Sequence, residues 1–100
     1  MNVLKIIGGK LEIRTDHGAY IRTICNRDVV DADFNSDGSL IVITLNNGKV
    51  EIRRDTGSYV RSIVLHDAVS ARWYGDDIAI RLSNGKTELR RESGGFIKTI

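Results

Sequence analysis

Gly8-Gly9-Lys10-Leu11-Glu12-Ile13-Arg14 and Asn47-Gly48-Lys49-Val50-Glu51-Ile52-Arg53 are two copies of one phrase, and Asn84-Gly85-Lys86-Thr87-Glu88-Leu89-Arg90 is a third. The likeness runs on. Asp16-x-Gly18-x-Tyr20-x-Arg22-x-Ile24 lines up with Asp55-x-Gly57-x-Tyr59-x-Arg61-x-Ile63, and the third copy keeps Gly94-x-Phe96-x-Lys98-x-Ile100. Gly9 and Gly48 are 39 residues apart, Gly48 and Gly85 37. Such a period marks a repeat architecture, in which each unit is one supersecondary element that buries its apolar side on its neighbours.

Leu11 and Ile13 alternate with Glu12 and Arg14, a period of two that belongs to strands, and no window carries a helical period. Asn47-Gly48 and Asn84-Gly85 predict two-residue hairpins, whose central positions need positive φ. Gly18, Gly57 and Gly94 predict three-residue loops that end in a left-handed residue. With Asp16-His17-Gly18 as such a loop, Arg14 faces Tyr20, Ile13 faces Ile21 and Glu12 faces Arg22. The second copy then sets Arg53 on Tyr59, Ile52 on Val60 and Glu51 on Arg61; the third sets Arg90 on Phe96, Leu89 on Ile97 and Glu88 on Lys98. One face of each hairpin would be apolar. The other would carry a Glu–cation and an Arg–aromatic pair in solvent, each worth a few tenths to ~1 kcal/mol. The fold class is all-β.

One more strand separates the hairpins: Val30-x-Ala32-x-Phe34 before the second copy, and Val69-x-Ala71-x-Trp73 before the third. With Ser36-Asp37-Gly38, a hydrophobic strand, Asn46-Asn47-Gly48, Lys49-Val50-Glu51-Ile52 and Thr56-Gly57, the unit resembles the four-stranded blade of a WD-repeat-like β-propeller. The resemblance covers nearly the whole chain. The family's Trp-Asp dipeptide is replaced by Arg53-Arg54-Asp55 and Arg90-Arg91-Glu92, and its Gly-His signature is absent, although His66-Asp67 lies near that place. The resemblance implies blade architecture and no particular partner. Residues 1–24 make a partial blade without its inner strand, with strands at about 3–6, 10–15 and 19–24; residues 25–63 and 64–100 make full blades. Eleven strands, or two and three-quarter blades, leave two sheet faces open. These are expected to be apolar and to drive homo-oligomerisation into a closed ring, with a dimer favoured over a trimer. The missing strand fits a piece of a longer array or a strand donated by a neighbour.

At 100 residues the chain is one small domain; 41% hydrophobic and 28% charged residues exclude disorder, and 6% aromatic residues make a thin core. Fifteen basic against 13 acidic residues give +2, too little to point to nucleic acid. A lone Cys25 gives no internal disulfide. No signal peptide or membrane span is legible, so a cytoplasmic or virion-associated place is expected, suiting a bacterial or phage protein.

Asp33-x-Asn35-x-Asp37-Gly38 resembles the opening of a calcium loop, but position twelve is Thr44 and position nine Ile41, so it reads as an Asx-rich turn. His17 and His66 have no ligand at metal spacing, and Cys25 has no His at a nucleophile spacing. No cofactor, metal or catalytic residue is expected. The inner strands of a propeller line its channel, and there Asp31, Asp33, Ser70 and Arg72 form the candidate ligand-binding set. Trp73 and Tyr74 are candidate stacking residues for a sugar, though Trp73 replaces Phe34 and suits blade packing. The expected function is a non-enzymatic structural or binding module, self-associating, without nucleic-acid or membrane partners. The alternative is a carbohydrate-binding lectin with shallow sites between blades, taking a small-molecule or glycan ligand.

Overall fold

Gly18, Gly57 and Gly94 sit at φ 91°, 99° and 99°, each ending a three-residue loop that reverses the chain. The Asn-Gly turns take the same form. Leu45 N–H donates to Lys49 O at 2.8 Å and Leu82 N–H to Lys86 O at 2.8 Å, so Asn46-Asn47-Gly48 and Ser83-Asn84-Gly85 are three-residue loops. Only the glycine is left-handed; the preceding Asn folds back to accept from Lys49 N–H (3.0 Å) or Lys86 N–H (2.9 Å). The two-residue loop with both positions left-handed belongs to Gly8-Gly9 instead, at φ 55° and 81°.

The computed structural model describes residues 2–100 and contains eleven strands. β1 (Asn2–Ile7), β2 (Lys10–Thr15) and β3 (Tyr20–Cys25) form one sheet. β4 (Val29–Phe34), β5 (Leu40–Leu45), β6 (Val50–Arg54) and β7 (Tyr59–Val64) form the second. β8 (Ala68–Tyr74), β9 (Asp77–Leu82), β10 (Thr87–Arg91) and β11 (Phe96–Thr99) form the third. Every pairing is antiparallel between strands adjacent in sequence, so each sheet is a meander; we number them blades 1 to 3. Among the described residues no helix is long and apolar enough to cross a membrane.

Two apolar seams hold the blades face to face. Leu11, Ile13 and Ile24 of blade 1 meet Val29, Ile41 and Ile43 of blade 2. Val42, Val50, Ile52 and Ile63 on the other side of blade 2 meet Ala68, Ala71, Ile78 and Ile80 of blade 3. Blade 2 is thus buried on both faces, and its β5 carries four consecutive buried residues, Ile41 to Thr44.

The hairpin register departs from simple alternation in all three blades. Arg14 faces Tyr20, Arg53 faces Tyr59 and Arg90 faces Phe96, as the loop length predicts. One residue further the register slips: Ile13 faces Arg22, Ile52 faces Arg61 and Leu89 faces Lys98. A β-bulge at Ile21, Val60 and Ile97 inserts one unpaired residue and turns two successive side chains to the same side. Arg22 and Arg61 therefore leave the face shared with glutamate and reach the next blade, and Lys98 takes the same register position on the outer side of blade 3. The expected Glu–cation pairs across strands are replaced by pairs along one strand. Arg14 Nη2 lies 2.7 Å from Glu12 Oε1, Arg90 Nε 3.1 Å from Glu88 Oε1, and Arg53 Nε 3.6 Å from Glu51 Oε2. Nor is this face a solvated exterior, since Glu12 and Glu51 are each only 4% exposed.

The two end faces are also less apolar than the repeat implies. On blade 3 the outer face carries Asp77, Ala79, Arg81 and Thr87 where blade 2 has Leu40, Val42, Thr44 and Val50, and Leu89 lies beneath at 7% exposed. On blade 1 it carries Val3, Lys5 and Ile7 where blade 2 has Ile41, Ile43 and Leu45. Polar dressing of terminal faces is how stacked repeats avoid indiscriminate association.

Candidate functional site

Blade junctions are built from backbone seats before any side chain acts. Val29 N–H donates to Gly9 O at 2.9 Å and Ala68 N–H to Gly48 O at 3.0 Å, so each inner strand starts on the hairpin glycine of the blade before it. A methyl group on Gly48 would overlap the backbone N of Asp67, and one on Gly9 would press on Asp28 N at 3.0 Å. Asp28 and Asp67 reach these seats at φ 68° and 73°, conformations that Asp tolerates better than most residues. Their carbonyls then accept from Asn46 N–H (2.7 Å) and Ser83 N–H (2.8 Å). The bulge-turned cations close the far side of each junction. Arg22 Nη1 donates to Asp55 O at 2.8 Å, and Arg61 Nη1 to both Glu92 O and Glu92 Oε2 at 3.1 Å.

Along the seam of inner strands β4 and β8, four of the nominated residues come together in two pairs. Arg72 Nη1 donates to Asp31 Oδ2 at 2.6 Å. Asp33 Oδ2 accepts from Trp73 N–H at 3.0 Å, while Asp33 O accepts from Trp73 Nε1 at 3.1 Å. The charges here are matched within the protein: one aspartate satisfies the guanidinium, the other a backbone donor. Ser70 stands apart, opposite Arg81 in the β8–β9 ladder. Trp73 packs half-buried against the seam between blades 2 and 3, whereas the neighbouring Tyr74 is 68% exposed. Val30 and Val69, at 51% and 46% exposed, sit at bulges, and the buried inner-strand positions are Val29 and Ala68.

The Asp37 turn is closed on itself. Asp37 Oδ1 accepts from Ser39 Oγ at 2.6 Å and Ser39 N–H at 3.0 Å, and Asn35 Oδ1 accepts from Leu40 N–H at 3.0 Å. The serine hydroxyl, then its amide, hold the Asp37 carboxyl below its ordinary range. A cleft of about 290 Å³ lies beside this turn, lined among others by Asn2, Arg22, Phe34 and Asp55. His66 Nδ1 lies 2.8 Å from Asp67 Oδ2 beside a second cleft of about 330 Å³ that reaches Glu88 and Arg90. Among the described residues no group of three or more His, Cys, Asp or Glu could hold a metal ion.

Sequence reasoning did not identify the glycine seats or the Arg22 and Arg61 ties. Their signal was present in the recurrence of Asp28 and Asp67 at the repeat spacing, each preceding an inner strand.

No family model matches the chain, and no curated protein matches it. Among solved structures it is similar to Sqt1 of Saccharomyces cerevisiae, a WD40 propeller protein, with a TM-score of 0.76 at 18% identity. That likeness covers 92% of this chain and 28% of Sqt1, so the chain spans under a third of the propeller protein it matches. At this identity the likeness speaks for architecture alone. Three antiparallel meanders, face-to-face seams and this match make the fold one of β-propeller blades.

Proposed function

We propose that the chain is a non-enzymatic binding or structural module whose copies join through their end faces to complete a closed propeller. The observation that carries this reading is the half-made junction on blade 3. Gly85 has the phrase and the φ (88°) of Gly48, yet among the described residues nothing lies within 4 Å of the place where Gly48 meets Asp67. Lys98 stands where Arg22 and Arg61 reach the next blade's loop carbonyl. On a second copy the loop residue at the repeat position of Asp55 and Glu92 is Asp16.

Two copies would bring six sheets together and three copies nine. Val3 and Ile7, 43% and 44% exposed on the outer face of blade 1, supply the apolar part of such a contact. Both end faces carry a cationic excess. Lys5, Lys10 and Arg14 outnumber Glu12 at one end, and Arg81, Arg91 and Lys98 outnumber Asp77 at the other. Closure between them should therefore strengthen as salt screens the repulsion. Light scattering at low and high salt tests the reading. A mass of two or three times 11.1 kDa that rises with salt supports it, and 11.1 kDa at every concentration and salt overturns it.

The inner-strand seam is the proposed ligand-facing surface, with Asp31, Asp33 and Arg72 along it and Ser70 to one side on the same strand as Arg72. The lectin alternative draws on three repeated exposed aromatics, Tyr20, Tyr59 and Phe96, at 56%, 54% and 54%. Each faces an arginine across its hairpin, and the Arg90 guanidinium lies 5.7 Å from the Phe96 ring centroid. Calorimetry with a panel of oligosaccharides distinguishes the readings: saturable sugar binding weakened by Tyr59→Ala favours the lectin.

A further inference from the structure

The cleft of about 330 Å³ between blades 2 and 3 lies where, at the first junction, an arginine crosses from blade to blade. There Arg53 Nη1 donates to Gly57 O at 3.1 Å within its own blade and to Ile24 O at 3.4 Å on the other. Arg90, its repeat match, stays in its own blade. It donates to Gly94 O at 2.9 Å and to Glu88 Oε1 at 3.1 Å, and it lies 5.7 Å from the Phe96 ring centroid. Among the described residues no bond runs from it to Ile63, the match of Ile24.

The residues around the cleft change in the same sense. Where the first junction has Cys25, Asn26 and Arg27, the second has Val64, Leu65 and His66. Val64 and Leu82 give the cleft an apolar wall, and Leu65, 71% exposed, gives it an apolar lip. Charge shifts too. Asp28 and Glu51 are matched by Arg27 and Arg53, but Asp67 and Glu88 have only Arg90, since His66 stands where Arg27 adds a fixed cation. Arg90 occupies one oxygen of Glu88, and among the described residues nothing else bonds to that carboxylate. In blade 1 the second oxygen of the matching glutamate is taken: Lys10 Nζ lies 3.3 Å from Glu12 Oε2. Lys86, the match of Lys10, makes no such ion pair among the described residues.

We propose that this cleft binds an aliphatic cation, a guanidinium or ammonium group on a stem of about three or four methylenes, with its head on the free oxygen of Glu88 and its stem along Val64, Leu82 and Leu65. Both kinds of head have a template within the chain, the Arg53 guanidinium at the first junction and the Lys10 ammonium on Glu12. A charge-assisted hydrogen bond holds the head, and covering Leu65 favours the stem. A volume of about 330 Å³ suits one such group, at the small end of ligand pockets. The inference gives the binding-module reading a ligand class and rests on that part of it alone. Every lining residue lies in blade 2, blade 3 or the link between them, so ring closure is not required.

Titration of the whole chain with n-butylguanidinium, followed by amide chemical shifts, tests the proposal. The expected result is saturable shifts confined to residues 63–67, 82 and 88–90, with none from the neutral isostere n-butylurea. Glu88→Gln should weaken binding about tenfold, and so should Leu65→Asn combined with His66→Arg, which installs the residues of the first junction. These positions are at least partly exposed, and unchanged shifts in blade 1 verify that the variants are folded. A blocked Gly-Arg-Gly peptide separates the sources: tighter binding than n-butylguanidinium assigns the cation to a partner's side chain, and binding no tighter assigns it to a free small molecule. No saturable shift at these residues, equal shifts with n-butylurea, or full affinity in Glu88→Gln overturns the proposal. Solution mass decides ring closure separately, so either reading can fail without the other.

Discussion

The two blade junctions share a plan and differ in one element. Both are filled by Ile, Val and Leu, seated on a hairpin glycine, and tied by a bulge-turned arginine to the next blade's loop carbonyl. Only the second has inner strands on both sides, and only there do Asp33 with Trp73 and Asp31 with Arg72 bind strand to strand. The outer three strands thus suffice to dock one blade on another. The inner strand adds a polar seam between blades 2 and 3.

Several substitutions can break or sharpen this contrast. The largest expected effect is at the seat: Gly48→Ala forces a methyl group into Asp67 at φ 87° and should cost about 3 kcal/mol. Gly85→Ala, at φ 88° with open space, should cost only about 1 kcal/mol in the free chain. Denaturant midpoints measure both, and equal losses would remove the seat from the account. Next comes Asp33→Ala, which strands the Trp73 amide at the second junction and should cost about 1.5 kcal/mol. Asp31→Ala should cost no more than about 0.5 kcal/mol, because its partner Arg72 is half-exposed.

Thr44→Val should change stability in the other direction. The Thr44 hydroxyl is fully buried against the second junction and has no hydrogen-bond partner among the described residues, so an apolar isostere should gain about 1 kcal/mol in thermal or chemical unfolding. The smallest effect is the pH dependence of blade 1. The hydrogen bond from Arg14, aided by Lys10, holds the Glu12 carboxyl below its ordinary 4.5. A folded pKa below the unfolded one stabilises the chain above pH 4.5 and loses that contribution as pH falls through the folded value. Glu12→Gln should flatten the acid limb of the stability curve and leave neutral pH little changed.

Much of this architecture is legible in the residues, because the strand period and the left-handed glycines are local signals. Gly18, Gly57 and Gly94 pin the loops, and Arg14, Arg53 and Arg90 fall opposite their aromatics as counted. Beyond that pair, counting fails. A bulge adds a residue without altering composition, and it moves Arg22 and Arg61 from the glutamate face to the junction. The turns at Asn47 and Asn84 depart from expectation for a related reason: Asn-Gly tolerates two left-handed positions, but these three-residue loops need only one, at the glycine. The candidate site was partly visible. Asp31, Asp33 and Arg72 share one strand seam, as inner-strand placement implies, but their mutual bonding depends on how two blades meet. The polar end faces could not be read until the register showed which residues alternate outward.

Small-angle X-ray scattering over a concentration series at high salt tests ring closure most directly. The single chain has a Cα radius of gyration of 12.9 Å. Assembly into a closed propeller predicts a clearly larger radius and a distance distribution with the depleted centre of a ring. A radius that stays near 12.9 Å at every concentration would contradict it.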